Sequence, residues 1–158
     1  HLTLYFLGNI KKEAVSKLIN SLNSAYKNIK PFVLEFEKIT FAPPNKKARM
    51  IWVQFEKNKN YQHLFNVTDK AVRPFLTKPL PESQQANNQT KTKKDQIPHI
   101  TLARFKTPIN TAQMVLKQLP IQDLEVCSCQ LMESELNSNG PIYSNIATFS
   151  FKEYNSNY

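Results

Sequence analysis

Glycine is nearly absent: Gly8 and Gly140 are the only two in 158 residues. A loop that cradles phosphates on its backbone amides needs several glycines close together. Neither a P-loop nor a dinucleotide-binding turn can be assembled from this pair. Cysteine is as scarce. Cys127 and Cys129 stand two apart, a spacing that shares one face of a strand but rarely makes an unstrained disulfide. With three histidines they provide no CxxC pair and no HxxxH spacing, so no zinc site is expected. Both thiols read as reduced packing residues of a cytoplasmic protein. No apolar run reaches about 18 residues, so no transmembrane helix and no membrane partner are expected. The sequence opens on His1 and passes directly into an apolar alternation. That start is expected to follow upstream residues, which would carry any targeting signal.

What the chain has in surplus is positive charge. Twenty-one Lys and Arg against 12 Asp and Glu leave a net +9. Lysines and arginines gain free energy by releasing the counterions condensed on a polyanion, so a nucleic-acid partner is one reading. A solubilising surface is the other.

Hydrophobic periodicity predicts one α+β domain over 1–158. His1 to Leu7 alternates as a half-buried strand, with Leu2, Leu4 and Phe6 on one side and His1, Thr3 and Tyr5 on the other. Gly8-Asn9 breaks it, and Asn9 is placed to cap a helix running to about Lys27. Phe32, Leu34 and Phe36 alternate as a second strand; after a Pro43-Pro44-Asn45 turn, Met50 to Phe55 forms a third. A second helix is expected over Tyr61 to Leu76. From Thr77 to Gln96 the composition turns to Lys, Asn, Gln and Thr, which reads as a long mobile basic loop. Its Lys78, Lys91, Lys93 and Lys94 are either solvated or in reach of RNA phosphates. His99 to Phe105 then repeats the opening alternation, Pro108 starts a helix to about Leu119, and strands follow over Leu124 to Leu131 and Ile142 to Phe151. On the last, Ile142, Ile146 and Phe149 are expected to be buried.

The order after each histidine is thus strand, helix, strand, strand, with the two copies 98 positions apart. A duplicated unit would make a bilobal fold with pseudo-twofold symmetry: one lobe at about 1–57, the other at about 98–153, antiparallel sheets flanking a central cleft.

Each copy opens on the same tetrad, His-x-Thr-Leu: His1-Leu2-Thr3-Leu4 and His99-Ile100-Thr101-Leu102. On a strand, residues i and i+2 lie side by side, so each histidine has a threonine hydroxyl beside it. An imidazole titrates near neutrality, and of two imidazoles flanking one phosphorus, one can take a proton while the other gives one. The threonine hydroxyls can hydrogen-bond non-bridging phosphate oxygens. This arrangement suits metal-free cleavage or transfer of a phosphodiester. A cation must offset the developing charge, and Arg104 is the first candidate, with Arg49 the second. Arg104 follows His99 by five positions, so strict alternation turns it to the opposite face unless a bulge re-aims it. Tyr5, on the face of His1 and Thr3, could stack on a base or ribose. His63 has no such context and reads as an ordinary helix residue; Trp52 reads as core or cleft wall.

These residues resemble the two-histidine phosphoesterases, and within them the bacterial RNA 2′,3′-cyclic phosphodiesterases, also called 2′-5′ RNA ligases. The resemblance rests on His1-Leu2-Thr3-Leu4 followed by Phe6-Leu7-Gly8. It rests also on Pro98-His99-Ile100-Thr101-Leu102-Ala103-Arg104, and on Leu131-Met132-Glu133-Ser134-Glu135-Leu136 with Gly140-Pro141-Ile142-Tyr143. It implies a bilobal α+β fold with both histidines in the cleft. It implies a monomer, no cofactor, and hydrolysis of a terminal 2′,3′-cyclic phosphate on RNA to a 2′-phosphate, with reversible 2′-5′ ligation. Carried onto this chain, His1 and His99 are the acid–base pair, His1 serving the leaving 3′ oxygen. Thr3 and Thr101 hold the phosphate, and Arg104 binds it. Members of the family carry a strand and a helix before the first tetrad, which this sequence lacks, and the 77–96 loop is longer than their pattern. Two alternatives stay open: a two-histidine enzyme for a small cyclic nucleotide or 2′-5′ oligoadenylate, and a non-catalytic RNA-binding module.

Overall fold

A computed structural model describes residues 1–43, 47–76, 96–138 and 140–152. The helices arise where the sequence places apolar residues three and four apart. Helix α1 (Val15–Tyr26) buries Leu18, Leu22 and Tyr26, and α2 (Lys59–Val72) buries Tyr61, Leu64, Phe65, Thr68, Asp69 and Val72. Asn9 does not cap α1, which is entered through a 3-10 turn at Lys12–Ala14. Helix α2 has a side-chain cap: Asn58 Oδ1 accepts from the amides of Asn60 and Tyr61 at 2.9 and 3.1 Å. Asn58→Ala is expected to cost about 1 kcal/mol, read as a lower urea midpoint at unchanged m-value. Pro74 lacks the amide that a further α-helical turn would use, and α2 gives way to a 3-10 turn at Arg73–Phe75.

Seven strands, all in antiparallel pairs, are formed by the described residues: β1 (Phe32–Leu34), β2 (Phe36–Ala42), β3 (Ala48–Phe55), β4 (His99–Ile109), β5 (Leu124–Val126), β6 (Ser128–Asn137) and β7 (Gly140–Ser150). They make a β2-β3-β4 sheet, a β1-β5 pair and a β6-β7 hairpin. Both β1-β5 and β3-β4 join the 1–57 segment to the 98–153 segment. Ile39, Val53 and Phe55 bury one face of the three-stranded sheet in a core shared with α1, α2 and the hairpin residues Leu131 and Phe149. The helices are tied by Ser21 Oγ donating to the Ala71 carbonyl at 2.9 Å and by the Tyr26–Thr68 hydroxyl pair at 2.8 Å. The edge strand β2 is closed by side chains from the 110–123 segment. The Gln118 amide bonds both the N–H and the C=O of Ile39, at 2.8 and 3.0 Å, and Asp123 Oδ1 accepts from the Phe36 amide at 2.8 Å. An unpaired edge invites pairing with another chain, and these contacts occupy it.

Several expectations are corrected. His1 to Leu7 is not a strand: no described strand pairs with it, and an extended segment without a ladder partner has no sheet to join. Leu2 and Leu4 pack on the core as expected, but Tyr5 and Leu7 join them and Phe6 is 63% exposed. Gly8 does make the break, at φ +67°. The expected helix over Pro108 to Leu119 is absent; β4 continues to Ile109 and no helix follows. Its apolar residues Met114-Val115-Leu116 are contiguous rather than spread over a helical stripe, and only Leu116 packs on the core, with Val115 95% exposed. The strand-helix-strand-strand order is therefore incomplete in both copies. Ile142 and Ile146 are exposed while Phe149 is buried. Cys129 packs on the core and burial pushes its thiol up to about 12, whereas Cys127 is exposed. The 77–95 stretch, with Lys78, Lys91, Lys93 and Lys94, lies outside the described residues, as does most of the Pro43-Pro44-Asn45 turn. No helix among the described residues is long and apolar enough to cross a membrane.

Candidate active site

The site is built on the face of the β2-β3-β4 sheet turned away from the helices. Residues directly opposite in an antiparallel pair share a face. Gln54 lies opposite His99, and Trp52 opposite Thr101. The register then slips: Ile51 faces Ala103, so Leu102 has no partner and forms a bulge. One extra residue reverses the alternation beyond it. Arg104 consequently falls opposite Met50, on the same face as Thr101 and His99, and its Nη1 contacts Met50 Sδ at 3.1 Å. A strand of strict alternation would have turned the guanidinium away. Arg49 is exposed beside Met50.

His99 is held from two sides. Its ring stacks on Trp52 with centroids 3.7 Å apart and planes 22° from parallel. Its Nδ1 lies 2.9 Å from the Ile97 carbonyl oxygen. A carbonyl only accepts, so Nδ1 carries the proton and the neutral ring presents an unprotonated Nε2. Burial lowers the pKa of the imidazole from the ordinary histidine value. The Ile97 carbonyl opposes that shift, and the Arg104 cation adds to it. Upstream, the Phe55 amide donates to the Pro98 carbonyl at 3.0 Å, and the Gln96 amide donates to Gln62 Oε1 on α2 at 3.0 Å. The start of β4 is thus pinned to both β3 and α2.

The first tetrad sits differently. His1 and Thr3 are exposed, and the His1 ring meets Tyr143 of β7 edge-on, centroids 5.3 Å apart. Tyr5 does not share their environment. Its hydroxyl donates to Asp69 Oδ1 at 2.9 Å and its ring packs on Phe65 at 5.5 Å, while Asp69 also pairs with Arg73 at 2.8 Å. That contact commits the phenol to α2. The structure therefore brings His99, Thr101 and Arg104 together, and sets His1 against the β6-β7 hairpin.

Sequence reasoning passed over Trp52 and Met50 as partners of His99 and Arg104, and over the Ile97 carbonyl. Alternation marks Met50, Trp52 and Gln54 as one face of β3, but which strand lies opposite is not written in a local pattern. Trp52 Nε1 is buried without a hydrogen-bond partner among the described residues. No three His, Cys, Asp or Glu side chains are grouped closely enough among the described residues to hold a metal ion.

Comparison with known proteins shows what the chain is similar to. Residues 1–52 match the model of the family described as LigT like Phosphoesterase. An RNA 2′,3′-cyclic phosphodiesterase of Aquifex aeolicus is 26% identical over 153 residues, covering 94% of this chain and 76% of that protein. A Bacillus subtilis protein of the same name is 34% identical over 104 residues, 66% of this chain and 50% of its own. Among solved structures, TT0787 of Thermus thermophilus superposes with a TM-score of 0.71 at 24% identity, over 96% of this chain and 77% of that one. Escherichia coli LigT in apo form gives 0.67 at 17%, over 97% and 76%. The chain is thus similar to the LigT-like phosphoesterases over its first 52 residues and shares the fold of their solved structures.

Proposed function

We propose that this protein is an RNA 2′,3′-cyclic phosphodiesterase that opens a terminal cyclic phosphate to a 2′-phosphate by two-histidine acid–base catalysis. The observation that carries the reading is the His99 arrangement: a fixed Nδ1–H tautomer, a pKa lowered by burial, and Thr101 and Arg104 on the same sheet face. A histidine neutral at pH 7 with Nε2 unprotonated is suited to the general base. Nε2 takes a proton from water, the water oxygen bonds phosphorus, and the P–O3′ bond breaks. His1, in the protonated form, gives its proton to the departing O3′. The product keeps its phosphate on the 2′ oxygen. Thr3, Thr101 and Arg104 hold the non-bridging oxygens, and Arg104 offsets the charge that grows on them. With a ribose 5′-hydroxyl in place of water, the same displacement is a 2′-5′ ligation, and its reverse cleaves that bond.

The net +9 charge and the likeness to RNA 2′,3′-cyclic phosphodiesterases support RNA as the substrate; the protein is proposed to act as a cytoplasmic monomer without a cofactor. Against an oligonucleotide with a cyclic-phosphate end, kcat/KM is expected to fall with added salt, as counterion release requires; against a cyclic mononucleotide the fall should be much shallower. Equal salt slopes would instead favour a small-nucleotide enzyme. The pH profile has a fixed sign. Because the His99 pKa is lowered, the acidic limb of kcat/KM should rise with pH and bend at a midpoint below the ordinary histidine value of about 6.5. An acidic limb centred above that value would exclude His99 as the base.

A further inference from the structure

We infer that Trp52 is a positioning residue for His99: the indole, fixed on β3, sets the plane of the imidazole and keeps Nε2 presented on the open face of the sheet. The inference rests on the proposed role of His99, and its geometry stands apart from that role. Two contacts act on one ring. The Ile97 carbonyl fixes which nitrogen carries the proton, but a single hydrogen bond leaves the ring free to swing about it. The stack at 3.7 Å and 22° removes that freedom. It also covers one side of the imidazole, in keeping with burial being the largest cause of the lowered pKa.

Register explains why Trp52 reaches His99. It lies directly opposite Thr101 and diagonal to His99, a separation that an indole spans and a small side chain does not. Met50, two residues earlier, stands opposite Arg104 and touches it through Sδ. Strand β3 therefore backs the phosphate-facing residues of β4 at two successive positions of one face. Packing alone does not account for an indole here. Among the described residues its Nε1–H is buried without a partner, and an unsatisfied buried donor is costly. A phenylalanine would fill the site without that cost, so the feature an indole adds is its larger, electron-rich face against the imidazole. That face also favours an imidazolium once the proton has arrived.

The chain's single tryptophan makes the stack directly observable. A protonated imidazole in van der Waals contact quenches indole emission, so wild-type fluorescence should fall as pH drops through the His99 pKa, and the step should vanish in His99→Gln. A flat titration, or an unchanged step in His99→Gln, would overturn the contact itself. In turnover of a cyclic-phosphate-ended oligonucleotide, Trp52→Leu should lower kcat about 100-fold, the size expected for a ring misplaced by about 1 Å, while KM moves less than about threefold. Trp52→Phe, which keeps an aromatic face, should recover most of the loss. Unchanged kcat in Trp52→Leu, or equal losses in Leu and Phe, would overturn the positioning role. If Trp52→Leu fails to fold, the Phe variant decides: it should keep at least about a fifth of wild-type kcat, since its ring still stacks, and a loss as deep as that of His99→Gln contradicts the inference. Absence of turnover in the wild type would sink the functional reading, whereas the fluorescence titration would still decide the stack.

Discussion

His99→Ala is expected to reduce hydrolysis of an RNA-terminal 2′,3′-cyclic phosphate by a factor of about a thousand, within the range of about 10²–10⁴ that a positioned acid or base contributes. The loss should fall on kcat, with KM nearly unchanged. In the proposed mechanism Nε2 acts on the attacking water, while Thr3, Thr101 and Arg104 hold the bound phosphate. His99→Ala should also remove the acidic limb of the pH profile, because the group that titrates there is gone. The variant should stay folded. His99 is only half-buried on the open face of the sheet, and the start of β4 is retained by the Phe55 amide bonding the Pro98 carbonyl and the Gln96 amide bonding the Gln62 side chain. Steady-state kinetics with a circular dichroism melt separates the two effects. A variant that melts normally and turns over at more than about a tenth of the wild-type rate would remove His99 from the mechanism.

The second large effect is on stability. Phe55→Ala is expected to cost about 3–5 kcal/mol, the usual range for emptying a buried aromatic site. Phe55 is 2% exposed in the core that joins α1, α2 and the sheet, and that core is what holds β3 beneath the active face. Domains of this size have about 5–15 kcal/mol in total, so the loss is a large share. It should appear as a drop of about 10 °C in melting temperature and a lower urea midpoint without change of slope. The backbone bond from Phe55 to Pro98 would survive in the folded fraction, so kcat per folded molecule should change little. A cost under about 1 kcal/mol would show that the Phe55 site collapses or floods.

These two expectations draw on different depths of reading. The pairing of His99 with Thr101 was legible because alternation on a strand is a local property, whereas His1 and Thr3 lie on none of the described strands; the two helices were legible because their apolar stripes have the helical period. Arg104 was legible only conditionally. Its residue type suited a phosphate, but the bulge at Leu102 that aims it depends on the register with β3, and register is set by the partner strand. The failures have the same root. Tyr5 alternates with His1 and Thr3 along the chain, yet a buried carboxylate on α2, 64 positions away, captures its hydroxyl. Met114-Val115-Leu116 offered apolar residues for a helix without the helical spacing, and the chain there runs along β2 through Gln118 instead. Trp52 looked like wall because its role comes from a diagonal neighbour on another strand.

The central claim is that the two His-x-Thr motifs hydrolyse a terminal cyclic phosphate on RNA by proton transfer between imidazoles and without metal. The most direct measurement is to incubate the protein, in the presence of EDTA, with an oligonucleotide ending in a 2′,3′-cyclic phosphate, and to identify the product by phosphorus NMR. The account predicts complete conversion to the 2′-phosphate, with no 3′-phosphate and no dependence on added divalent cations. Survival of the cyclic end, a 3′-phosphate product, or turnover that EDTA abolishes would contradict it.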